Sequence, residues 1–284
     1  MVSDNGYAGG DNSNNITQDL FTFNSLNENI NRDWGGFYRL IARTNITINQ
    51  VTKSVDPALS AARKNQILGE ARFLRAIGYF DLVRMFGRVP IMLTPPITKT
   101  AEELLKSVLV PQSSADSVYD VILQDLWFAK SSVRDIGAST SRYLISKGAV
   151  NGMLAKVYAA KPTPNWDSVR YYCDQVIPNY ALVPNYNFLW DNQHDNNSEA
   201  IWVINYDGWS AGDQVGNWAP SIFVGGVLVI MKAGAGRSSR RLRMILSMCT
   251  RRKGIISGKM LRLLFWILRG SGRMLIGRLR IILF

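Results

Sequence analysis

The side chains that could do chemistry are few, and they narrow the field mainly by exclusion. The chain has one histidine, His194, and two cysteines, Cys173 and Cys249. A nucleophilic triad needs a histidine held between a nucleophile and an acid, and a zinc centre needs three or four His, Cys or carboxylate ligands. One loop histidine and two scattered thiols supply neither. Carboxylates paired for glycoside hydrolysis and a glycine-rich phosphate loop are also missing. No enzyme activity, cofactor or metal is expected. Two cysteines cannot build a disulfide framework, and Cys173, on a predicted helix, is expected to be a buried free thiol. What the sequence does concentrate is aromatic rings. Eight fall in the 38 residues from Tyr186 to Phe223, against 11% in the whole chain. Loops that mix aromatics with Asn and Pro are where ligand binding usually sits.

Such loops need a scaffold, and most of the chain before them reads as helix. The first fifteen residues, rich in Asn, Asp, Gly and Ser, read as an exposed loop. Trp34, Phe37, Tyr38 and Ile41 recur at helical spacing and predict a helix from about Glu28 to Val51. Asp56-Pro57 is expected to cap a second helix that runs to Phe86 and is stopped by Gly87 and Pro90. Its second half is apolar on two sides, with Phe73, Ala76, Ile77, Phe80 and Val83 in one sector and Leu74, Gly78, Leu82 and Met85 in another. That pattern predicts a helix sandwiched between neighbours. The stripes Glu70/Asp81/Arg84 and Arg72/Arg75/Tyr79 lie between these sectors and need partners if buried. Ion pairs such as Asp81 with Arg84 are the structural reading, and a ligand site is the alternative.

Thr100-Ala-Glu-Glu opens a further helix with a capping-box pattern, and others are predicted over Ala115 to Ser131, Ser146 to Ala160, and from an Asn165 cap to about Ile177. Gly148, Ala149, Gly152, Ala155 and Ala159 would let a second helix approach closely. Helix pairs of this length suggest a solenoid like that of tetratricopeptide repeats. After Pro178 the helical period is lost, and Ala200 to Tyr206 reads as one strand. The expected fold is therefore mostly α, a tetratricopeptide-like helical-repeat scaffold with irregular aromatic-rich loops and minimal β. Trp34, Trp127 and Trp202 sit on periodic elements and are expected in the core. Trp209 and Trp218, flanked by Gly and Ser, leave core packing and ligand contact both open.

GEARFLRAIGYFDLVRMFGRVPI (69–91) strongly resembles the signature helix of the SusD/RagB family, outer-membrane nutrient-binding lipoproteins of Bacteroidota. SDNGYAGG (3–10), WGGFYRLIARTNITINQV (34–51), SKGAVNGMLAKVYAA (146–160), YALVPNYNFLW (180–190) and NNSEAIWVINY (196–206) agree with that family in order. The resemblance implies an extracellular glycan- or oligopeptide-binding protein that caps a SusC-like TonB-dependent transporter and performs no chemistry. In such a protein, aromatic rings stack on sugar C–H faces while amides and carboxylates orient the hydroxyls. The candidates here are Tyr7, Asp11 and Asn12 in the first loop and Tyr206, Trp209, Asp213 and Trp218 in the aromatic loop. Family members carry a lipoprotein signal and a lipidated cysteine, so a lipid anchor missing from this chain is the expected membrane attachment. Members are also commonly near twice this length, so the chain is expected to be incomplete at both ends. A helical-repeat scaffold that binds a protein partner is the alternative function.

Charge sharpens the domain division. The net charge is +12, yet residues 227–284 hold 14 of the 33 basic residues and none of the 21 acidic ones, leaving residues 1–226 nearly neutral. A basic amphipathic segment at a membrane surface or a nucleic-acid tail would explain the charge. Neither explains the rest of the composition. Asp, Glu, Asn, Gln, His, Lys and Tyr share adenine at the second codon position and make up 70 of the first 226 residues, so about 18 would be expected in the tail, which has three. A reading-frame shift near codon 226, where the family resemblance also stops, explains the whole pattern. The chain is accordingly read as a SusD-like helical domain (1–226, partial) and an out-of-frame basic tail (227–284) with no nucleic-acid partner. An acidic, SusD-like continuation in one of the other two frames of the gene is the expected result, and its absence from both would remove this reading.

Overall fold

The computed structural model describes residues 12–95, 100–137, 141–189, 193–194 and 196–204, together with a short backbone strand at 279–281. The proposed division at residue 226 lies outside them, as does Cys249. The chain forms two compact units.

In the smaller unit, α1 (Ser13–Asp19) begins inside the stretch expected to be loop. Asn12 makes this possible, because its Oδ1 accepts from the Asn14 and Asn15 amides at 3.0 and 3.3 Å. A side-chain cap satisfies donors that a helix start otherwise leaves open. The following helix, α2 (Glu28–Lys53), starts in this unit and is capped in the same way by Asn27, which accepts from the amides of Asn29 and Ile30. Asn27 also donates to the Asn14 carbonyl at 2.9 Å, and Asn29 donates to Asn15 at 3.0 Å. Buried asparagine amides, rather than apolar packing, thus fasten α1 to the start of α2.

The larger unit is built around α3 (Ala61–Phe86), with α2 beside it and α5 (Ala115–Ser132) as its main packing partner. The helix starts later than expected. Asp56 closes a turn instead, its carboxylate accepting from Ala58 at 2.9 Å and its carbonyl from Leu59 at 3.1 Å. Ser60 then caps the helix by accepting from Arg63. The stop at Gly87 is as expected, with a φ of 69° that favours glycine. Both apolar sectors are occupied: Phe73, Ala76, Phe80, Leu82 and Val83 are buried, and Leu74, Ile77 and Met85 pack against the same core. Two glycines set how closely the neighbours approach. A Cβ on Gly69 would come within 2.9 Å of the Ser132 Cβ on α5, and one on Gly78 within 3.2 Å of Ile41 on α2. Beyond α3, β1 (Val89–Pro90) pairs antiparallel with β2 (Gln112–Ser113), with Val89 opposite Ser113. The intervening α4 (Ala101–Val108) carries the expected Thr100 cap, bonded to the Glu103 amide at 3.1 Å.

The polar stripes of α3 resolve into ion pairs and one deeply buried network. Arg75 grips Asp125 of α5 with two bonds, Nε to Oδ2 at 2.7 Å and Nη2 to Oδ1 at 2.8 Å. Its Nη1 donates to Asn45 of α2 at 2.8 Å, and Asn45 in turn donates to the Met92 carbonyl at 2.8 Å. Arg75, Asp125 and Asn45 are 5%, 2% and 2% exposed. One side chain therefore ties together α2, α3, α5 and the segment after β1. Tyr79 joins the same segment, donating to the Met92 carbonyl and accepting from the Met92 amide. Asp81 pairs with Arg84 at 3.6 Å, and Glu70 with Arg134 at 2.9 Å.

The remaining helices are α6 (Lys147–Ala160), packed on α5, and α7 (Trp166–Val176), packed on α6. Of the small residues expected to admit a helix, Gly148 instead makes room for Tyr180, since a Cβ there would overlap the Tyr180 hydroxyl. The strand β3 (Trp202–Ile204) begins two residues later than the expected start at Ala200, and the expected end at Tyr206 lies outside the described residues. Trp202 is buried edge-on to Phe73, centroids 5.3 Å apart, which fastens the strand to the signature helix.

Asp125→Asn leaves the buried Arg75 guanidinium without its counter-charge, and removing one partner of such a pair costs about 3–5 kcal/mol. Urea unfolding is expected to show that loss, and Arg75→Met/Asp125→Leu is expected to cost less than the two single changes together.

Burial pushes the Tyr79 phenol up to about 12, outweighing the opposing pull of its bond to Met92 and of Arg75. Burial, with Tyr79 nearby, raises the Tyr38 phenol as well. Both groups have higher pKa values folded than the ordinary 10.0. Their contribution is fully present below pH 10 and is lost as pH rises towards 12. Urea midpoints at pH 9 and pH 11 are expected to differ more for the wild type than for Tyr79→Phe. At pH 7 the variant is expected to be less stable by about 1–2 kcal/mol, because the Met92 amide loses its acceptor while its carbonyl keeps Asn45.

Candidate functional site

Of the residues expected to meet a ligand, only Asn12 is described, and it is exposed with its side-chain oxygen engaged in the α1 cap. Tyr7, Asp11, Tyr206, Trp209, Asp213 and Trp218 lie outside the described residues. In the smaller unit, His194 stacks on Phe188 with centroids 3.9 Å apart.

Three of the exposed aromatics, Trp127 of α5 and Trp166 and Tyr171 of α7, lie on neighbouring helices, while Phe21, Phe23, Tyr143 and Tyr186 are exposed elsewhere. Trp127 is not in the core as expected; it is 47% exposed, on a face of α5 turned from the buried Val118, Ile122, Asp125 and Ala129. Its indole lies close enough to the Tyr158 phenol of α6 to offset part of the rise that burial imposes on that group. Tyr158 stacks on Tyr172 of α7 at 5.8 Å and 14°, and Tyr171 meets Tyr172 edge-on at 5.1 Å. The Lys130 ammonium sits 4.9 Å from the Tyr172 centroid and 5.4 Å from that of Tyr171. Trp34 behaves differently, half-buried between Tyr38 and Phe86.

An open cleft of about 750 Å³ lies at the turn from α6 to α7, walled by Tyr158, Lys161, Thr163, Trp166 and Asp167, with Asp116 of α5 opposite. Its frame is well fixed. Tyr119 donates to the Ala160 carbonyl at 2.9 Å, holding the end of α6 to α5. Prolines 162 and 164 restrict the turn. Asn165 donates its amide to the Tyr158 carbonyl at 3.2 Å and caps α7 through Ser168 at 2.9 Å, as expected. Trp166, the first residue of α7, is thereby presented 66% exposed.

Little in this region favours covalent chemistry. Cys173 is a free thiol, half-buried rather than fully buried because it lies beside the outward face of α7. Burial, reinforced by Asp174, pushes its pKa up and keeps it protonated. Among the described residues, no group of three His, Cys, Asp or Glu is placed to hold a metal, and no helix is long and apolar enough to cross a membrane.

Comparison with known proteins places this architecture. The family model described as SusD-like, starch-binding associating with outer membrane, matches residues 1–159. The chain belongs to the SusD-like family. A SusD-like protein of Bacteroides ovatus is 27% identical over 199 residues, covering 66% of this chain and 34% of that protein. SusD-like protein P25 of Formosa agariphila is 24% identical over 239 residues, covering 74% and 43%. This SusD-like chain thus spans about a third to two-fifths of the length of these relatives. Among solved structures, a SusD superfamily protein from Bacteroides vulgatus superimposes with a TM-score of 0.62 at 24% identity, over 75% of this chain and 44% of that one. A laminarin-binding SusD-like protein gives 0.62 at 24% over 75% and 45%. A structure with xylogluco-oligosaccharide gives 0.56 at 25% over 70% and 40%. The mostly helical, tetratricopeptide-like scaffold expected from the sequence is the fold of this family.

Sequence reasoning did not single out Asp125, Asn45 or the Trp166 cleft. For Asp125 a signal existed: a carboxylate among Ile122, Leu123 and Leu126 falls on the apolar face of its helix and requires a buried partner.

Proposed function

We propose that the protein binds oligosaccharides at the extracellular face of the outer membrane and delivers them to a SusC-like TonB-dependent transporter. The observation that carries this reading is membership of a family described as starch-binding and associated with the outer membrane. Similar structures that include a laminarin-binding protein and one with xylogluco-oligosaccharide support the choice of glycan over peptide. The glycan-binding part is residues 1–226, and the basic tail takes no share in it.

In this reading the rings of Tyr7, Tyr206, Trp209 and Trp218 stack on sugar C–H faces, and Asp11 and Asp213 accept from hydroxyls. Asn12 contributes through its amide N–H groups, since its oxygen caps α1. No step makes or breaks a covalent bond.

Calorimetric titration with laminarin and xyloglucan oligosaccharides is expected to show saturable binding that weakens about tenfold or more in Trp209→Ala or Trp218→Ala. Unchanged affinity in both variants would remove the aromatic loop from the site. Failure of every glycan with transporter binding retained would favour a protein-binding scaffold.

A further inference from the structure

We propose that the cleft at the α6–α7 turn is a second saccharide-binding platform, with the Trp166 indole as its stacking face, separate from the loop residues assigned above. This inference rests on the glycan-binding reading and adds a site on the helical scaffold itself.

The chemistry of the cleft selects the ligand class. Trp166 offers a broad exposed ring with Pro164 beside it, and Tyr158 forms an aromatic wall. Around these lie two carboxylates, Asp116 and Asp167, the Lys161 ammonium and the Thr163 hydroxyl. A phosphate-bearing or otherwise strongly anionic ligand would face both carboxylates, and a purely apolar one would strip water from four polar groups. A neutral molecule with apolar C–H faces and a rim of hydroxyls satisfies the ring, the acceptors and the donors together. A volume of about 750 Å³ is in the range of small-molecule sites, and the open form lets a chain of sugars pass through.

The platform is also pre-organised. Asn165 fixes the turn by two hydrogen bonds, Tyr119 fixes the end of α6, and the Tyr158–Tyr172 stack fixes the wall. Trp166 contributes little to the core, so its exposure is not needed for folding. Two binding sites on one protein raise the retention of a long glycan without tighter contacts at either site.

The test uses the full chain labelled with 5-fluorotryptophan, the Trp166 resonance being assigned with Trp166→Phe. Laminarin oligosaccharides and xyloglucan oligosaccharides are titrated to about 10 mM, enough to reveal a weak site. In Trp209→Ala/Trp218→Ala the Trp166 resonance is expected to shift saturably with one of these glycans. Trp166→Ala is expected to weaken binding of the long polysaccharide about threefold to tenfold while leaving the thermal midpoint unchanged. A Trp166 resonance that stays fixed while those of Trp209 and Trp218 move would overturn the second site and leave the first reading intact. If no tryptophan resonance moves with any glycan, both fall. Weakened binding together with a lowered midpoint would assign Trp166 a structural role and overturn the proposal.

Discussion

Both oxygens of Asp125 are held by one guanidinium, and the arrangement of the larger unit depends on that grip. Taking two charges out of water is costly, and the cost is recovered only when geometry is good and every remaining donor is satisfied. Arg75 approaches that condition by directing both Nη1 donors to Asn45 and the Leu93 carbonyl. Three helices and the segment after β1 must therefore sit in one register for the network to close. An apolar contact would tolerate a small slide between helices; a bidentate ion pair does not.

The signature helix serves as the wedge that makes this possible. Gly69 and Gly78 lie on its two sides, and each removes a side chain where a neighbouring helix comes nearest. Close approach on both sides brings Asn45 and Asp125 within reach of one arginine. Phe73 then receives Trp202, so that even the strand beyond the helices is seated on α3. Most of the residues that mark the family in this helix act mechanically: glycine sets spacing, arginine and tyrosine set register, and phenylalanine supplies burial. Each of these roles is internal to the scaffold.

The outer side of α5–α7 has a different physics. There aromatic rings are held by one another and by Lys130, and the wet faces of Trp127, Tyr171 and Trp166 are left outward. A rigid turn with two prolines places Trp166 without burying it. The contrast between a charged group in the core and aromatics on the surface inverts the usual distribution of side chains. The first supplies register, and the second leaves ring area open to the solvent.

The sequence by itself determined the helices from Glu28 onward, the stop at Gly87, the two-sided burial of α3 and the Asp81–Arg84 pair, because local periodicity, capping and i,i+3 spacing are encoded within a few residues of one another. The family was legible for the same reason, since its signature lies along one helix. The start of α1 and the shift of the α3 cap from Asp56 to Ser60 turned on which polar side chain reaches the open amides, a choice that composition leaves open. What only the tertiary structure decided are the partners: Arg75 with Asp125 across fifty residues, Gly148 with Tyr180, and Trp127 on the surface instead of in the core. These depend on how helices rotate about their own axes when packed, and that rotation is set by the simultaneous closure of contacts far apart in the chain.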